Sequence, residues 1–241
     1  MATEKFFRSY PYAHACDAQV VAVNDRGGII LDRTVFYPTG GGQPGDSGTL
    51  ELTDGQEIEI VTTVKGSPED GKDTIVHVPA EGSATPAAGD SVTAKIDWER
   101  RHRHMRIHTC MHLLSSVLGY PVTGGQVGDG KGRLDFDIPE AGLDKGEITA
   151  ELNRLIAEDH AVTAEWISDE ELVVQPELVK TMSVKPPTGA GQVRLIRVES
   201  HDLQPCGGTH VAQTAEIGAV TVTKIEKKGR QSRRVTISLN K

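Results

Sequence analysis

The sequence predicts an α+β protein in two parts. A small N-terminal β-barrel is expected over residues 1–90, and a C-terminal α+β domain over 91–241, its mostly antiparallel sheet packed by helices. Three patterns point there. Residues 6–92 carry repeated short β-branched runs separated by Gly, Asp, Asn and Pro, with no amphipathic helix among them, as in a small barrel. A long unbroken helical pattern follows at Asp97–Leu118. Beyond it, single helices stand between strands and the chain closes on a hairpin, the order of an α+β domain.

The N-terminal strands are placed at Ala18–Val23, Gly28–Asp32, Thr34–Tyr37, Thr49–Leu52, Glu57–Val64 and Thr74–Val78. Among them lies Phe36–Leu50, FYPTGGGQPGDSGTL. Gly40–Gly42 permit close backbone approaches that side chains forbid. Neither phosphate-binding fingerprint fits, because no GK[ST] follows and no helix opens there. By composition alone the stretch is an irregular hairpin loop, but Thr39 and Gln43 flank the glycines as polar groups able to lie flush against a ligand. Ser83–Asp90, SATPAAGD, reads as the linker between the domains.

In DWERRHRHMRIHTCMHLLSSVL, Asp97 is the expected N-cap, Gly119 follows the end, and no proline interrupts. Ile107, Met111, Leu114 and Leu118 form the expected buried stripe. His108 and His112 stand one turn apart, so their Cβ atoms lie about 5–6 Å from each other on one side of the helix. Cys110, two residues from each, points away and reads as core. Pro121–Gly132 is a glycine-rich segment leading into the half-buried strand Arg133–Ile138, with Gln126 the side chain of note. Lys145–His160 is an amphipathic helix ending in a surface histidine, His160; a strand at Thr163–Ile167 and a short helix at Ser168–Val173 follow. Pro186–Gly191 is a loop, Val193–Val198 a strand, and Ala219–Glu226 with Arg234–Leu239 the final hairpin. Before that hairpin, Cys206 and His210 sit in a bent segment with Pro205, Gly207 and Gly208. Three imidazoles and one thiolate from the two pairs suit Zn²⁺, although either pair alone fits ordinary surface or core histidines.

The longest apolar runs are a few residues, so no membrane span is expected. MATEKFFRSYPY lacks the apolar core of a signal peptide, and three cysteines do not make a disulfide framework, which predicts a cytoplasmic protein. A net charge of −8 argues against a general nucleic-acid coat. Positive charge nonetheless gathers at Lys95, Arg100, Arg101, Arg103 and Arg106, and again at Lys224, Lys227, Lys228, Arg230, Arg233, Arg234 and Lys241. These clusters are candidate phosphate contacts.

HTCMH followed far downstream by CGGTH resembles the editing domain of alanyl-tRNA synthetases and their free-standing relatives, the AlaX-type alanyl-tRNA editing proteins. FYPTGGGQPGDSG resembles the glycine-rich motif of the longer AlaX class, and TGGQVG, RLDFDI and CGGTHVAQTAEIGAVTVTKIEKKGRQSRRVTI fall in the family's order. There is no room for an aminoacylation domain. The resemblance implies deacylation of mischarged tRNA(Ala), chiefly Ser-tRNA(Ala) with Gly-tRNA(Ala) as a second substrate, sparing Ala-tRNA(Ala). It implies His108, His112, Cys206 and His210 as zinc ligands, Thr39 in serine recognition, and Gln126 as a polar residue of the editing pocket. A monomer is the favoured state.

Four protein ligands describe a closed zinc site, whereas catalytic zinc keeps a position open. The count favours a metal that organises the pocket. No Glu lies between the helix histidines, so the HExxH protease reading lacks its base. Three alternatives stay open: editing of Ser-tRNA(Thr), a zinc-stabilised tRNA-binding module without catalysis, and a metallohydrolase for another ester or amide.

Overall fold

The structure is a computed structural model that describes residues 2–71, 73–139, 142–181 and 191–240. The chain divides into two compact units, Met1–His102 and Arg103–Lys241.

The first unit contains β1 (Glu4–Lys5), α1 (Phe6–Ser9), β2 (Ala15–Val23), β3 (Ile29–Leu31), β4 (Arg33–Thr34), β5 (Gly48–Leu52), β6 (Glu57–Lys65), β7 (Ile75–Pro79) and β8 (Ser91–Ile96). Six of these close a barrel in the order β2-β3-β7-β6-β5-β8, every pair antiparallel. β8 pairs with both β2 and β5, which leaves no open edge. Alternation fills the interior: Ile58 and Ile60 of β6, and Val92, Ala94 and Ile96 of β8, point inward onto Leu31, Phe36 and Leu50.

Two expectations change here. Ser91–Ile96, assigned from sequence to the second domain, is the closing strand of the barrel, so the division falls later, inside the helix after His102. The expected strand Thr34–Tyr37 keeps only Thr34, in β4, which pairs in parallel with β1. Its remainder turns into the glycine-rich loop, held by Asp46: the carboxylate accepts from the Tyr37 backbone N–H at 2.6 Å.

That carboxylate also receives Arg101. Both side chains are essentially unexposed, at 0% and 1%. Arg101 Nε donates to Asp46 at 3.0 and 2.9 Å, and Nη2 donates to the same carboxylate and to the Val35 carbonyl. Arg101 is therefore not the phosphate contact its neighbours in sequence suggested. An arginine so deep needs a buried anion, and Asp46 is that anion.

α2 (Trp98–Leu118) begins in the first unit and runs into the second. Its ends are those read from sequence: Asp97 Oδ1 accepts from the Arg100 N–H at 3.0 Å, and Gly119 takes φ +65° as its N–H reaches Ser115. The stripe is broader than expected. Every residue from Ile107 to Ser115 is buried, whereas Leu118 is half-buried. A helix buried all round belongs to a core, and its polar positions then need partners inside.

The second unit continues with β9 (Val122–Val127), β10 (Lys131–Asp137), α3 (Lys145–Ala157), β11 (Val162–Ser168), α4 (Asp169–Val173), β12 (Gln192–Val198), β13 (Asp202–Pro205), β14 (Val220–Lys227) and β15 (Ser232–Leu239). Two antiparallel sheets result, ordered β14-β15-β10-β9 and β11-β12-β13. β9 occupies a segment whose glycines read as loop. Glycine is needed on this sheet because α2 lies so close: a Cβ on Gly132 would sit 2.6 Å from Ile107 and 2.7 Å from Met111 Sδ. The loop read at Pro186–Gly191 lies outside the described residues except for Gly191. Among the described residues no helix is long and apolar enough to cross a membrane.

Candidate metal centre

Four side chains converge in the second unit. α2 supplies His108 and His112, and the segment after β13 supplies Cys206 and His210. One donor atom from each lies within 4.8 Å of the others, so the group could hold a metal ion. Cys206 Sγ is 3.5 Å from His108 Nε2 and 3.3 Å from His210 Nε2. The three rings pack with centroids 4.3 to 5.5 Å apart. The histidines are buried and Cys206 is half-buried.

His112, His210 and Cys206 are held from behind. His112 Nδ1 is 2.7 Å from Asp202 Oδ2, and the fully buried Asp202 also accepts from Lys180 Nζ at 2.5 Å and Gln204 Nε2 at 2.8 Å. His210 Nδ1 is 3.2 Å from Thr109 Oγ1, which accepts in addition from the Val211 N–H. Bonded through Nδ1, both rings offer Nε2 as the donor. Arg194 fixes the bend carrying Cys206: Nη1 donates to the Cys206 and Gly208 carbonyls, each at 2.9 Å, while the Gly208 N–H points to the sulfur.

The charges follow from this packing. Burial alone would raise the Cys206 thiol, but His108 and His210 beside it hold it well below its ordinary range. Burial opposes the charged form of His112, yet Asp202 and Cys206 raise it to about 9. Burial and the neighbouring His108 lower His210 to about 3. A bound cation at this cluster would favour the deprotonated donors, the thiolate and the neutral imidazoles. Cys110 is buried as expected, and burial pushes its thiol up to about 12.

Thr39 and Gln126 are not among the four. Thr39 is exposed on the glycine-rich loop of the first unit; its Oγ1 accepts from the Gly45 N–H at 2.9 Å and donates to the Thr63 carbonyl at 3.2 Å. Gly45 must be glycine, since a Cβ there would lie 1.9 Å from that carbonyl. One lone pair of the Thr39 hydroxyl remains for a ligand. Gln43, expected beside it as a ligand-facing group, is buried, because Gly40 and Gln43 close a backbone bridge that turns its side chain inward. Gln126 is exposed on β9 opposite Arg133, whose Nε donates to its Oε1 at 3.1 Å. Alternation puts it on the sheet face away from Gly125, which approaches Met111 of α2.

Residues 193–236 match the family described as threonyl and alanyl tRNA synthetase second additional domain, and residues 8–100 match the class II (A) tRNA synthetases. The chain is 36% identical to the alanyl-tRNA editing protein AlaX-M of Methanosarcina acetivorans, over 95% of each chain. It belongs to the AlaX-M family of alanyl-tRNA editing proteins. AlaX-M of Saccharolobus solfataricus is 31% identical over 97% of each chain. AlaX-L of Pyrococcus horikoshii is 32% identical over 96% of this chain and 57% of its own. Alanine–tRNA ligase of Saccharolobus islandicus is 34% identical over 93% of this chain but 25% of the ligase, so that likeness is to one portion of the enzyme. In this AlaX-M family member sequence reasoning missed the supporting residues Asp202, Gln204, Lys180, Thr109 and Arg194. One signal was present: Asp202, Gln204 and Cys206 alternate along a single strand and its continuation, a spacing that puts all three on one face.

Proposed function

We propose that the chain is a trans-editing hydrolase that deacylates mischarged tRNA(Ala), chiefly Ser-tRNA(Ala), and spares Ala-tRNA(Ala). The observation that carries this reading is the buried His108–His112–Cys206–His210 cluster in a chain similar to AlaX-M proteins from end to end. We take the ion to be Zn²⁺, since three imidazoles and a thiolate are a borderline-soft set for which tetrahedral zinc is the common occupant. When bound, zinc supplies Lewis-acid chemistry. Asp202 and Thr109 orient the His112 and His210 rings, and Arg194 holds Cys206 in place. In the reaction a water oxygen joins the acyl carbon, the bond to the ribose oxygen breaks, and that oxygen takes up a proton. Serine and uncharged tRNA leave.

Discrimination has to favour serine over alanine, which differ by one hydroxyl. A site that hydrogen-bonds the hydroxyl leaves its own polar groups unpaired when alanine enters, worth roughly 10⁴–10⁵ in favourable cases. Thr39, with a free lone pair, and Gln126, whose amide NH₂ has no protein partner among the described residues, are proposed as those groups. For tRNA itself, exposed Lys227 and Arg230 on the β14–β15 hairpin form no ion pair among the described residues and are proposed to meet phosphates. Lys224 and Lys228 share Glu226, and Arg234 is engaged by Asp135. We place this activity in the cytoplasm, in a monomer.

Editing of Ser-tRNA(Thr) stays as a second reading because the matched family description covers threonyl as well as alanyl synthetases. The deciding experiment follows hydrolysis of Ser-tRNA(Ala), Ala-tRNA(Ala) and Ser-tRNA(Thr) by wild type and Cys206→Ala. Loss of serine from tRNA(Ala) alone, abolished in the variant, is expected. Turnover of Ser-tRNA(Thr) alone would move the assignment to the second reading. No turnover by folded, zinc-loaded protein would leave a binding module.

A further inference from the structure

We propose a second divalent-metal site in the second unit, built from Glu158, His160 and His201 with Glu199 beside them. It would take a first-row transition ion such as Zn²⁺, Co²⁺ or Ni²⁺. One donor atom from each of Glu158, His160 and His201 lies within 4.8 Å of the others. None of the three belongs to the cluster on α2.

Two turns bring the residues together. α3 ends at Ala157, Glu158 caps it, and Asp159 takes φ +57°, reversing the chain so that His160 follows with its N–H on Thr214 Oγ1 at 2.8 Å. Opposite, β12 ends at Val198 and Glu199 takes φ +38°. The His201 N–H then returns to the Val198 carbonyl at 2.8 Å. The turns are joined by Glu199, whose backbone N–H donates to the Ala161 carbonyl and whose Oε1 accepts from the Ala161 N–H, both at 3.1 Å. Ser116 anchors the second turn from α2 by donating to the His201 carbonyl at 2.5 Å. The group is thus mounted on fixed backbone.

His160, read from sequence as a surface residue, has a side chain only 13% exposed. Its Nδ1 is 2.8 Å from Glu199 and its Nε2 3.0 Å from Glu158. An imidazolium bridging two carboxylates would account for those contacts. It does not account for His201, whose ring lies 4.2 Å from that of His160 and whose ring nitrogens make no hydrogen bond to protein among the described residues. A cation between them, replacing the proton on one His160 nitrogen, uses both rings and a carboxylate at once. Imidazole and carboxylate donors together suit zinc, cobalt and nickel better than magnesium or calcium, which prefer oxygen alone.

The site has a structural consequence. His201 immediately precedes Asp202, the carboxylate behind His112. An ion holding Glu158, His160 and His201 would pin the turn that leads into that carboxylate.

The test uses the full chain, zinc-loaded at the first site and then titrated with Co²⁺. Calorimetry and metal analysis should count a second equivalent, whose spectrum lacks the thiolate charge-transfer band that Co²⁺ shows at a Cys206-containing site. His201→Ala and Glu158→Gln, both at solvent-reachable positions, should each weaken that second equivalent by more than about a hundredfold, beyond what changes behind a ligand produce. Both should leave the first equivalent intact. In protein loaded with Co²⁺ alone, Cys206→Ala should abolish the thiolate band and keep the second equivalent. A single equivalent in wild type would overturn the proposal, as would a second equivalent whose affinity changes less than twofold in folded His201→Ala and Glu158→Gln.

Discussion

Asp202→Asn tests how the protein shapes the His108–His112–Cys206–His210 cluster. The wild-type carboxylate has no exposed surface and accepts three donors: His112 Nδ1, Lys180 Nζ and Gln204 Nε2. Asparagine has nearly the same shape but only one acceptor oxygen, so its NH₂ must face one of these donors. Lys180, about a third exposed, can turn to water, which leaves the amide oxygen for His112. The fold should therefore survive. What disappears is the negative charge that raises the basicity of the ring and fixes its tautomer. Partners behind metal-bound histidines are typically worth 10–100-fold in affinity, which is about 1.4–2.7 kcal/mol. Competition for zinc against a chromophoric chelator measures it directly, with circular dichroism as the control on folding. Affinity within twofold of wild type in a folded Asp202→Asn protein would refute the argument, and His112 would have to be oriented by packing alone.

Three further outcomes are expected. Thr39→Val should slow Ser-tRNA(Ala) hydrolysis by roughly 10–100-fold, the loss of one hydrogen bond to the substrate hydroxyl, at unchanged zinc content; Thr39→Ser should restore it, and equal activity in the valine variant would remove Thr39 from the site. Lys227→Glu with Arg230→Glu should weaken tRNA binding and flatten its salt dependence by about one to two phosphate contacts; an unchanged slope in filter binding would rule the hairpin out. His77 supplies the pH prediction. It is wholly buried in the barrel, Nδ1 on the Ile29 carbonyl and Nε2 on Thr34 Oγ1, and burial lowers it to about 4 from an ordinary 6.5. Between those values the unfolded chain binds a proton that the folded chain refuses. Stability is thus complete above pH 6.5, falls by about 3 kcal/mol as pH drops to 4, and levels off below. Urea unfolding of His77→Gln should lack that component; curves parallel to wild type would show that His77 does not carry it.

What could be read from the sequence was what is decided locally. Asp97 and Gly119 bound α2 because capping involves a few neighbouring residues. The barrel strands could be read because alternation is a property of each strand. The two histidine-bearing pairs were visible by spacing, and the structure places them together. The remainder depends on what distant segments bring. Val122–Val127 looked like loop because of its glycines, one of which, Gly125, faces Met111 of α2, a neighbour no local pattern reveals. Arg101 looked like a phosphate ligand because Asp46, its partner, is 55 residues away. His160 looked like a surface residue because His201 and Glu199 reach it from another turn.

The Arg101–Asp46 pair has a consequence for how this chain can vary. Removing either member alone strands a charge in the interior at a cost of about 3–5 kcal/mol, a large part of the 5–15 kcal/mol that holds a typical domain folded. Replacing both together by apolar residues of matching volume can be neutral. Arg101 and Asp46 therefore have to be exchanged together, and the glycine-rich loop pinned by that aspartate would then need another anchor.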